Sequence, residues 1–410
     1  MEAIGTMIRI LFVDDDSDVL EGFKRVLFKM RKEWDMEFVT SGEAALEKLE
    51  NESFNAIVTD IGMSGISGTE LFRIVKENHP EVARIIISGS TDMNHLLITV
   101  DTAHQFLLKP VNPVVLKDTL ARVISLGHYL QDRELIKRVH QIDSLPTQPE
   151  RYLELLEAIP TASIKEIAAI IKKDLAMTVK ILQLVNSPFF GIKPRVENIY
   201  HAIGLIGVDI LRSLVLTLEI FSKFQVKSPL KAELKEIFNH SSDVAGFARL
   251  IAMEITQDKV IANDSYLAGL LHDVGKLIIL AEFSADYCRI KQRLKDLKKM
   301  SRQVEQDILA VDHSQLGAYL LGLWGLPEFL VETAAHHHSP GEYLCKEFSP
   351  VLAVHMADAI IGSETDGTPP TTPLPPGLDL DCLNQLDPNL VERIPALIHK
   401  INEIKDPPLY

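Results

Sequence analysis

The sequence predicts two kinds of fold in one chain: an N-terminal doubly wound α/β domain with a five-stranded parallel sheet, and a C-terminal all-helical domain. Three observations support this prediction. Up to residue 126, short apolar strands alternate five times with amphipathic helices, the pattern of a parallel sheet covered on both faces. From about residue 150, apolar residues recur only at helical spacing. Between these regions, Pro146 and Pro149 break the pattern and mark a boundary.

Length and composition limit the classes of function. The 410 residues leave room for two or three domains. The net charge of -15 argues against nucleic-acid binding, which needs a basic surface, and no basic recognition helix is apparent. Cys288, Cys345 and Cys382 lack metal-ligand spacing and fit free thiols in a reducing compartment. With neither a signal sequence nor an apolar run of about 18 residues, the expectation is a cytoplasmic protein without a membrane segment.

The elements of the first domain follow from its alternation. Strands are predicted at Ile8–Val13, Glu37–Thr40, Ala56–Thr59, Arg84–Ser88 and Gln105–Leu108, and helices near 17–31, 42–51, 68–78, 92–101 and 113–126. In a parallel sheet of this kind, ligands bind at the carboxyl ends of the strands. The residues that follow each strand are therefore the candidates for function.

Charged and hydroxyl side chains stand at those strand ends. Asp14 and its two acidic neighbours follow the first strand, Asp60 follows the third, Ser88 closes the fourth, and Lys109 follows the fifth. Crowded carboxylates repel one another, and a hard cation such as Mg²⁺ relieves the repulsion. Asp60 could then accept a phosphoryl group while Lys109 and Ser88 balance its charge. The alternative, that each acid only caps a helix, is common for a single aspartate.

The motifs VDDDSDVL, AIVTD, IIISG and FLLKPV resemble those of the response-regulator receiver domain over about the first 126 residues. The resemblance implies phosphorylation of Asp60 by a sensor histidine kinase or a phosphotransfer protein. It also implies that Mg²⁺ is held by Asp14, Asp15, Asp60 and the backbone carbonyl of Gly62. Ser88, Phe106 and Lys109 would form the switch that reports the phosphorylated state, and the peptide before Pro110 would be cis.

Two residues depart from the family pattern after the phosphoacceptor. Ser64 stands where the family usually has proline, and Ser67 where it usually has aspartate. Ser67 can still cap the following helix. The departures bear on the lifetime of the phosphoryl group more than on the site itself.

A helix is predicted to continue from Leu116 to Ile142, past the end of the receiver. Its apolar stripe, interrupted at Gly127, can pair two chains into a homodimer or pack on the next domain, and the sequence does not choose between these. We therefore divide the chain into a receiver at 1–126, a helical linker at 127–144, a helical domain at 145–361 and a tail at 362–410.

The stretch Tyr266–Phe283 reads YLAGLLHDVGKLIILAEF and is predicted to be one buried helix that carries His272, Asp273 and Lys276 on one face. Burying these groups is costly unless they pair or bind a metal. Further candidate ligands on other predicted helices are His240, His313, His336, His337 and Asp358. Imidazoles with carboxylates suit Fe, Mn, Zn or Mg. The alternative is a surface charge cluster or a capped helix end.

Residues 145–361 resemble the HDOD domain, a relative of the metal-dependent HD phosphohydrolases. The resemblance rests on DLAMTVKILQLVNSPFFG, NHSSDVA, AGLLHDVGKL, VDHSQLGAYLLGLWGLP, AAHHHSP and VLAVHMADAI. It implies a signalling output module that acts through protein–protein interaction. It also implies that His240, His272, Asp273 and Asp358 match the four ligands of HD enzymes. His313, His336 and His337 match the further ligands of the binuclear HD-GYP phosphodiesterases, and Lys276 is an auxiliary residue.

The HD-GYP motif is incomplete, because no acid follows the paired histidines directly and no Gly-Tyr-Pro occurs after Ser339. Hydrolysis of a phosphodiester or nucleotide by a metal-bound hydroxide, controlled by the receiver, is therefore the second hypothesis. His338 is expected to be solvated. Beyond Ile361 a Pro-, Thr- and Gly-rich segment precedes a short predicted helix at Asn389–Ile404, which Pro395 is expected to interrupt.

Overall fold

The structure is a computed structural model, and it describes residues 8–89, 102–142, 145–186, 196, 198–207, 211, 230–297, 301–343, 347–365 and 374–402. The chain forms two compact units. The first contains Met1–Asp143, Gln183–Pro194 and Gly322–Gly325, and the second contains Ser144–Leu182, Arg195–Leu321 and Leu326–Tyr410. The helix predicted at 92–101 lies outside the described residues.

The first unit contains the predicted five-stranded parallel sheet. Its strands are β1 Ile8–Val13, β2 Trp34–Val39, β3 Ala56–Asp60, β4 Ala83–Ser88 and β5 Gln105–Leu108, in the order β2-β1-β3-β4-β5. The strand order reverses beside β1, which is where ligands bind in doubly wound sheets. β2 begins at Trp34 rather than Glu37, because the buried Trp34 already pairs with Ile8.

Helices cover the sheet and begin at polar caps. They are α1 Ser17–Val26, α2 Gly42–Asn51, α3 Gly68–Asn78 and α4 Pro113–Ser125. The residue before each helix caps it, because its side-chain oxygen accepts a backbone N–H from the first turn. The four capping residues are Asp16, Ser41, Ser67 and Asn112. α1 is shorter than predicted, and a separate 3-10 turn at Phe28–Lys32 follows it.

The predicted continuous helix after the receiver is wrong. α4 ends at Ser125, a 3-10 turn spans Leu126–His128, and a new helix, α5, runs over Arg133–His140 with Asp132 as its cap. The fully buried Arg84 of β4 donates to the carbonyl of His140 at 2.8 Å and to that of Thr102 at 2.6 Å. The bond to His140 fixes the end of α5 against the sheet, and the linker is part of the first unit.

All described elements from residue 149 onward are helical. They are α6 Pro149–Ala158, α7 Ile164–Ile171, α8 Leu175–Asn186, α9 Ile199–Ile206, α10 Lys231–Thr256, α11 Lys259–Leu271, α12 Val274–Glu282, α13 Ser284–Leu297, α14 Ser301–Leu309, α15 His313–Leu323, α16 Glu328–His336, α17 Pro350–Thr365, α18 Leu380–Leu386 and α19 Pro388–Asn402, together with a 3-10 turn at Pro340–Glu342. The long α10 packs most extensively on α11 and α17 and forms the core of the second unit. None of the helices within the described ranges has the length and apolar character that crossing a bilayer requires.

The predicted single helix over Tyr266–Phe283 is also wrong. α11 ends at Leu271 and α12 begins at Val274, so His272 and Asp273 occupy the junction. A Cβ atom at Gly275 would lie 1.8 Å from the carbonyl oxygen of His313, which shows how closely the first turn of α12 meets the start of α15. This close approach sets the direction of α12 at the junction and requires glycine.

The C-terminal helix is not interrupted at Pro395 as expected. α19 continues through Pro395 although proline cannot donate a backbone hydrogen bond. Leu390, Ile394 and Leu397 are buried, and α19 contacts α10. Burial of this apolar face offsets the missing bond.

Candidate functional sites

Two carboxylates and one ammonium group meet at the carboxyl edge of the sheet. Asp14 follows β1 and is 1% exposed, and Asp60 ends β3. The Lys109 Nζ atom lies 2.7 Å from Asp14 Oδ2 and 2.9 Å from Asp60 Oδ2. The structure therefore brings together three residues that lie far apart in the sequence.

Local hydrogen bonds set the charge of this edge. Burial raises the pKa of Asp14, and its hydrogen bond to Lys109 opposes that rise. Burial lowers the pKa of Lys109, but hydrogen bonds to Asp14 and Asp60 outweigh burial and hold that pKa above its usual value. Asp15 is exposed and accepts the backbone N–H of Ser64 at 2.8 Å, which lowers the pKa of Asp15.

The Asp60 carboxylate is held in one orientation. Its Oδ1 atom accepts the N–H of Ile61 at 2.8 Å while Oδ2 accepts from Lys109. The backbone here is tightly packed, because a Cβ at Gly68 would lie 1.9 Å from the Asp60 carbonyl oxygen. Gly62, two residues later, is exposed, and its Cα has open space around it. Asp60 is therefore fixed beside a loop that solvent can reach.

The remaining receiver residues lie on β4, which pairs with β3, and on β5, which pairs with β4. Ser88 ends β4 and is 5% exposed, and Phe106 on β5 is 3% exposed and pairs with Ile86 of β4. The peptide between Lys109 and Pro110 is cis, as the resemblance implies. Ser67 caps α3, since its Oγ accepts the N–H of Glu70 at 3.3 Å.

Asp273 is the centre of a second cluster, which we call the histidine cluster: His240, His272, Asp273, His313, His337, His338 and Asp358. Four imidazole Nε2 atoms lie near the Asp273 carboxylate. His272 and His240 are 3.3 Å and 3.5 Å from Oδ2, and His313 and His337 are 3.3 Å and 3.8 Å from Oδ1. The Lys276 Nζ atom lies 2.6 Å from Asp273 Oδ2. Asp273 is 1% exposed, so its charge is compensated almost wholly by these groups.

Asp358 of α17 closes the other side of the histidine cluster. Its Oδ1 atom lies 3.1 Å from His240 Nε2, and its Oδ2 atom lies 3.6 Å from His338 Nδ1. His338 Nε2 is in turn 3.0 Å from His313 Nε2. Six helices or their ends, from α10, α11, α12, α15, α16 and α17, thus supply seven side chains to one small volume.

Hydrogen bonds from the outer ring nitrogens aim three of the imidazoles inward. The Nδ1 atom of His272 lies 2.7 Å from the Gly269 carbonyl, and that of His337 lies 3.0 Å from the Ala334 carbonyl. The Nδ1 atom of His313 lies 2.6 Å from a Glu305 oxygen. A ring nitrogen held in this way fixes the tautomer and leaves Nε2 as a lone-pair donor, the usual arrangement around a bound metal.

Three buried atoms at the centre have no hydrogen-bond partner within the part of the chain that the structure describes: His272 Nε2, His337 Nε2 and Asp273 Oδ1. Unpaired polar atoms in a protein interior are costly. A divalent cation would satisfy all three at once, and mixed imidazole and carboxylate ligands suit several such ions. The residues of the histidine cluster therefore fit a metal ion.

The charges of the histidine cluster depend on one another. Burial raises the pKa of Asp273, but His272 and Lys276 outweigh burial and hold that pKa well below its usual range. Burial lowers the pKa of His337, and the neighbouring His338 lowers it further. His337 is therefore neutral, as a metal ligand must be.

His336 and His338 exchange the roles that the sequence predicts for them. His336 is the last residue of α16, and its ring stacks on Tyr343 with centroids 5.8 Å apart, away from the grouped ligand atoms. His338, expected to be solvated, contacts both His313 and Asp358. The reason is that α16 stops before His337, so the chain turns and the third histidine points back.

Glu305 was not anticipated. It lies on α14, is 3% exposed, and one of its oxygens accepts the backbone N–H of His313 at 2.9 Å as well as contacting its ring. The Oγ atom of Ser301 donates to the other oxygen at 2.7 Å. Glu305 and His313 lie on different helices, so no spacing in the sequence predicts that they meet. The one available signal was an acidic residue within an amphipathic helix.

A cavity of about 230 Å³ reaches the histidine cluster from solvent. His240, Asp273, Lys276, Tyr287 and Glu305 are among its lining residues. The cavity has room for water and for part of a small substrate beside the candidate ligands. The arrangement can therefore hold a metal and expose it to a reactant.

Family comparisons agree with the two folds. Residues 10–121 match the family model of the response regulator receiver domain, and residues 145–340 match that of the HDOD domain. The chain carries a receiver domain followed by an HDOD domain. It is thus a response regulator with an HDOD output domain. Receiver domains in general bind Mg²⁺, and HD-type domains bind metals.

Known relatives cover parts of this arrangement. An uncharacterised protein of Treponema pallidum is 28% identical over 245 residues, which are 58% of this chain and 46% of that protein. The hydrogenase transcriptional regulatory protein HoxA of Cupriavidus necator is 32% identical over 117 residues, 28% of this chain and 24% of that protein. The chain thus spans less than half the length of these relatives.

Two solved structures match part of this chain. The response regulator MmoQ of Methylococcus capsulatus is 21% identical, with a TM-score of 0.43 over 55% of this chain and 89% of that one. A virulence factor of Campylobacter jejuni is 20% identical, with a TM-score of 0.43 over 59% of this chain and 83% of that one.

Proposed function

We propose that this response regulator accepts a phosphoryl group on Asp60 from a histidine kinase or a phosphotransfer protein and transmits the change to its HDOD domain. The observation that carries the proposal is the Lys109 ammonium group shared by Asp60 and the buried Asp14. An acid that only capped a helix would need neither a buried carboxylate nor a lysine from a distant strand. Of the two carboxylates, Asp60 is the one that solvent reaches more easily, at 16% side-chain exposure against 2% for Asp14.

In the proposed reaction, an Asp60 carboxylate oxygen attacks the phosphorus atom, a new O–P bond forms, and the bond from phosphorus to the donor breaks. Asp14, Asp15, Asp60 and the carbonyl of Gly62 would hold Mg²⁺, which supplies positive charge for the phosphoryl oxygens. Lys109 can leave its contact with Asp60 Oδ2 and pair with the phosphoryl group, while Ser88 donates to another oxygen. A change around Ser88 would reach Phe106 on the next strand.

The phosphorylation test uses the full chain, Mg²⁺ and a small phosphodonor such as acetyl phosphate. Intact-mass spectrometry should detect one added phosphoryl group on the wild type and none on Asp60→Asn. Asp118→Asn, an exposed aspartate on α4, is the matched control and should be modified normally. An unmodified wild type, or equal modification of Asp60→Asn, contradicts the proposal.

A second candidate function is metal-dependent hydrolysis of a phosphodiester in the HDOD domain. It is favoured by the inward-facing, unpaired Nε2 atoms of His272 and His337 and the open cavity beside them. The chain's own residues would bind an Fe, Mn, Zn or Mg ion, exclude bulk water from its buried side, and hold a proton on Lys276. Such an ion supplies a nucleophile by lowering the pKa of bound water. The competing hypothesis is an output module that acts only through a protein partner.

Metal content and turnover separate these hypotheses. The full chain, purified without chelators, should retain a divalent metal in elemental analysis, and His338→Ala should retain much less. His336→Ala is the matched control, since His336 contacts Tyr343, and it should keep the wild-type metal content. Cleavage of a cyclic dinucleotide or an aryl phosphodiester by the loaded protein supports hydrolysis. Metal without cleavage by any tested ion favours the protein-partner hypothesis.

A further inference from the structure

A larger cavity, of about 440 Å³, lies elsewhere in the second unit and shares no lining residue with the cavity at the histidine cluster. It is bounded by α7, the start of α9, and the facing sides of α10 and α11. Four basic residues line it: Lys165, Lys172, Lys173 and Arg249. We call this cavity the basic cavity.

The charge of the basic cavity contrasts with that of the whole chain. The chain has a net charge of -15, yet the described residues that line this cavity include no aspartate or glutamate. The strongest influences on Lys172 are burial and the positive charge of Arg249, and both lower the pKa of Lys172. The Lys173 Nζ atom lies 3.8 Å from Glu154 Oε1, which is too long for a hydrogen bond. Two partly buried cations that repel each other are stabilised by an anion placed between them.

The N-terminus of α9 adds further positive potential. Asn198 caps this helix by accepting the N–H of His201 at 2.7 Å, and Asn198, Ile199 and Tyr200 all line the basic cavity. The first backbone N–H groups of a helix and its dipole favour an anion. The positive end of α9 therefore lines the same cavity as the four basic side chains.

One wall of the basic cavity is apolar and aromatic. Tyr266 of α11 lies with its ring centroid 5.9 Å from Lys172 Nζ, and burial raises the pKa of its hydroxyl. Ala168 and Leu267, 3% and 4% exposed, complete this wall. Such a wall adds nothing to the binding of a small inorganic ion, but it suits a planar ring attached to an anionic group.

We propose that the basic cavity is a binding site for a nucleotide. The phosphate lies among Lys172, Arg249 and the first turn of α9, and the base packs against Tyr266. The cavity volume falls within the range of about 300–1,000 Å³ that is typical of small-molecule sites. This site goes beyond the proposed phosphotransfer and beyond the histidine cluster, and its ligand would give the HDOD domain a second input besides the receiver.

The binding test uses the full chain and fluorescence anisotropy of methylanthraniloyl-labelled AMP and GMP. We expect saturable binding that unlabelled AMP or GMP reverses, with the parent nucleosides and inorganic phosphate at least about tenfold weaker, because each supplies only half of the contacts. Displacement by inorganic phosphate as effective as that by the nucleotides would mean an adventitious anion site and would overturn the proposal. The absence of saturable binding for both labelled nucleotides would overturn it as well.

Variants assign the binding to this cavity. Lys172→Gln with Arg249→Gln should weaken binding at least about tenfold, as loss of charge-assisted bonds to phosphate predicts. The exposed pair Lys165→Gln with Lys173→Gln, which leaves the partly buried Lys172 and Arg249 intact, should weaken it severalfold even if the first pair fails to fold. Lys259→Gln, an exposed lysine on the same helix as Tyr266, is the matched control and should bind as the wild type does. Unchanged affinity in the exposed pair contradicts the assignment.

Two further variants separate this site from the two proposed functions. His338→Ala alters the histidine cluster and Asp60→Asn the receiver, and neither residue lines the basic cavity. Both variants should bind labelled nucleotide with wild-type affinity. Loss of binding in His338→Ala would place the nucleotide at the histidine cluster and overturn the proposal, whereas failure of phosphorylation or metal binding would leave it standing.

Discussion

The receiver edge and the histidine cluster both bury a carboxylate, but different groups compensate its charge. At the receiver edge, one lysine with a flexible side chain, Lys109, serves Asp14 and Asp60 together. In the histidine cluster, Asp273 is surrounded by Lys276 and by imidazoles. Three of those rings are fixed through their outer nitrogens by carbonyls or by Glu305.

This difference indicates two modes of use. A single lysine can move from one oxygen to another, so the receiver edge suits a charged group that is added and removed, such as a phosphoryl group. Rings held from behind cannot reorient without breaking hydrogen bonds, so the histidine cluster suits a ligand that stays, such as a metal ion. Changing the compensating groups at each site tests the comparison.

The largest effect is expected for Asp273→Asn. This change leaves the Lys276 ammonium group and the imidazoles without their buried carboxylate, and breaking a buried pair costs about 3–5 kcal/mol. We expect the free energy of unfolding of the helical unit to fall by about 3 kcal/mol and bound metal to be lost. Calorimetry and elemental analysis measure these two quantities. Asp381→Asn, an exposed aspartate, is the control, and an equal effect there would break the comparison.

Glu305→Gln tests whether fixed ring orientation matters. Gln keeps the size of the side chain but removes the negative charge beside His313 Nδ1. Outer partners of this kind affect metal affinity by about 10–100-fold, and we expect a loss at the lower end of that range. Competition with a chromophoric chelator gives the affinity. Asp307→Asn on the same helix should leave it unchanged, and an unaltered affinity in Glu305→Gln would mean that the rings do not need this support.

Lys109→Met tests the shared lysine. It leaves Asp14 buried beside Asp60 without a cation, and we expect the receiver to lose about 1–2 kcal/mol of unfolding free energy at neutral pH. Mg²⁺ should restore most of this loss, because it would replace the missing positive charge. Thermal unfolding with and without Mg²⁺ measures the effect, and Lys117→Met, an exposed lysine on α4, is the control. A loss that Mg²⁺ leaves unchanged would contradict a cation site at this edge.

The smallest effect is expected for Glu52→Gln, a surface carboxylate that pairs with Arg9 and with Lys48 at 3.1 Å. The hydrogen bond from Arg9, then that from Lys48, lowers the pKa of Glu52 to about 2. A lowered pKa means that the pairing stabilises the fold above the ordinary value of 4.5 and that this contribution is lost as the pH falls toward about 2. Because the pair is solvated, we expect only a small drop in the thermal midpoint at pH 7, absent at low pH.

Glu50→Gln, an exposed neighbour on α2, is the control for this prediction. A loss of stability for Glu52→Gln as large as that for Asp273→Asn would show that burial does not explain the difference between the buried Asp273 and the surface Glu52.

Much of the receiver site could be predicted because its residues follow strands. Short apolar runs between amphipathic helices locate β1, β3, β4 and β5, and parallel strands bring their carboxyl ends to one edge. Asp14, Asp60 and Lys109 must therefore meet once the sheet forms. The histidine cluster was predicted in outline only, since its members lie on helices whose mutual distances no sequence periodicity fixes.

The sequence by itself determined the order of strands and helices in the receiver, the Ser67 cap, and the residue types that each site draws on, because these depend on local periodicity and hydrogen bonding. Tertiary structure alone decided that α11 and α12 break at His272, that His338 rather than His336 joins the histidine cluster, and that Glu305 supports it. It also decided that Arg249 of α10 joins Lys165, Lys172 and Lys173 around one cavity. Each of these outcomes depends on where one helix ends against another, and packing between distant segments sets that position.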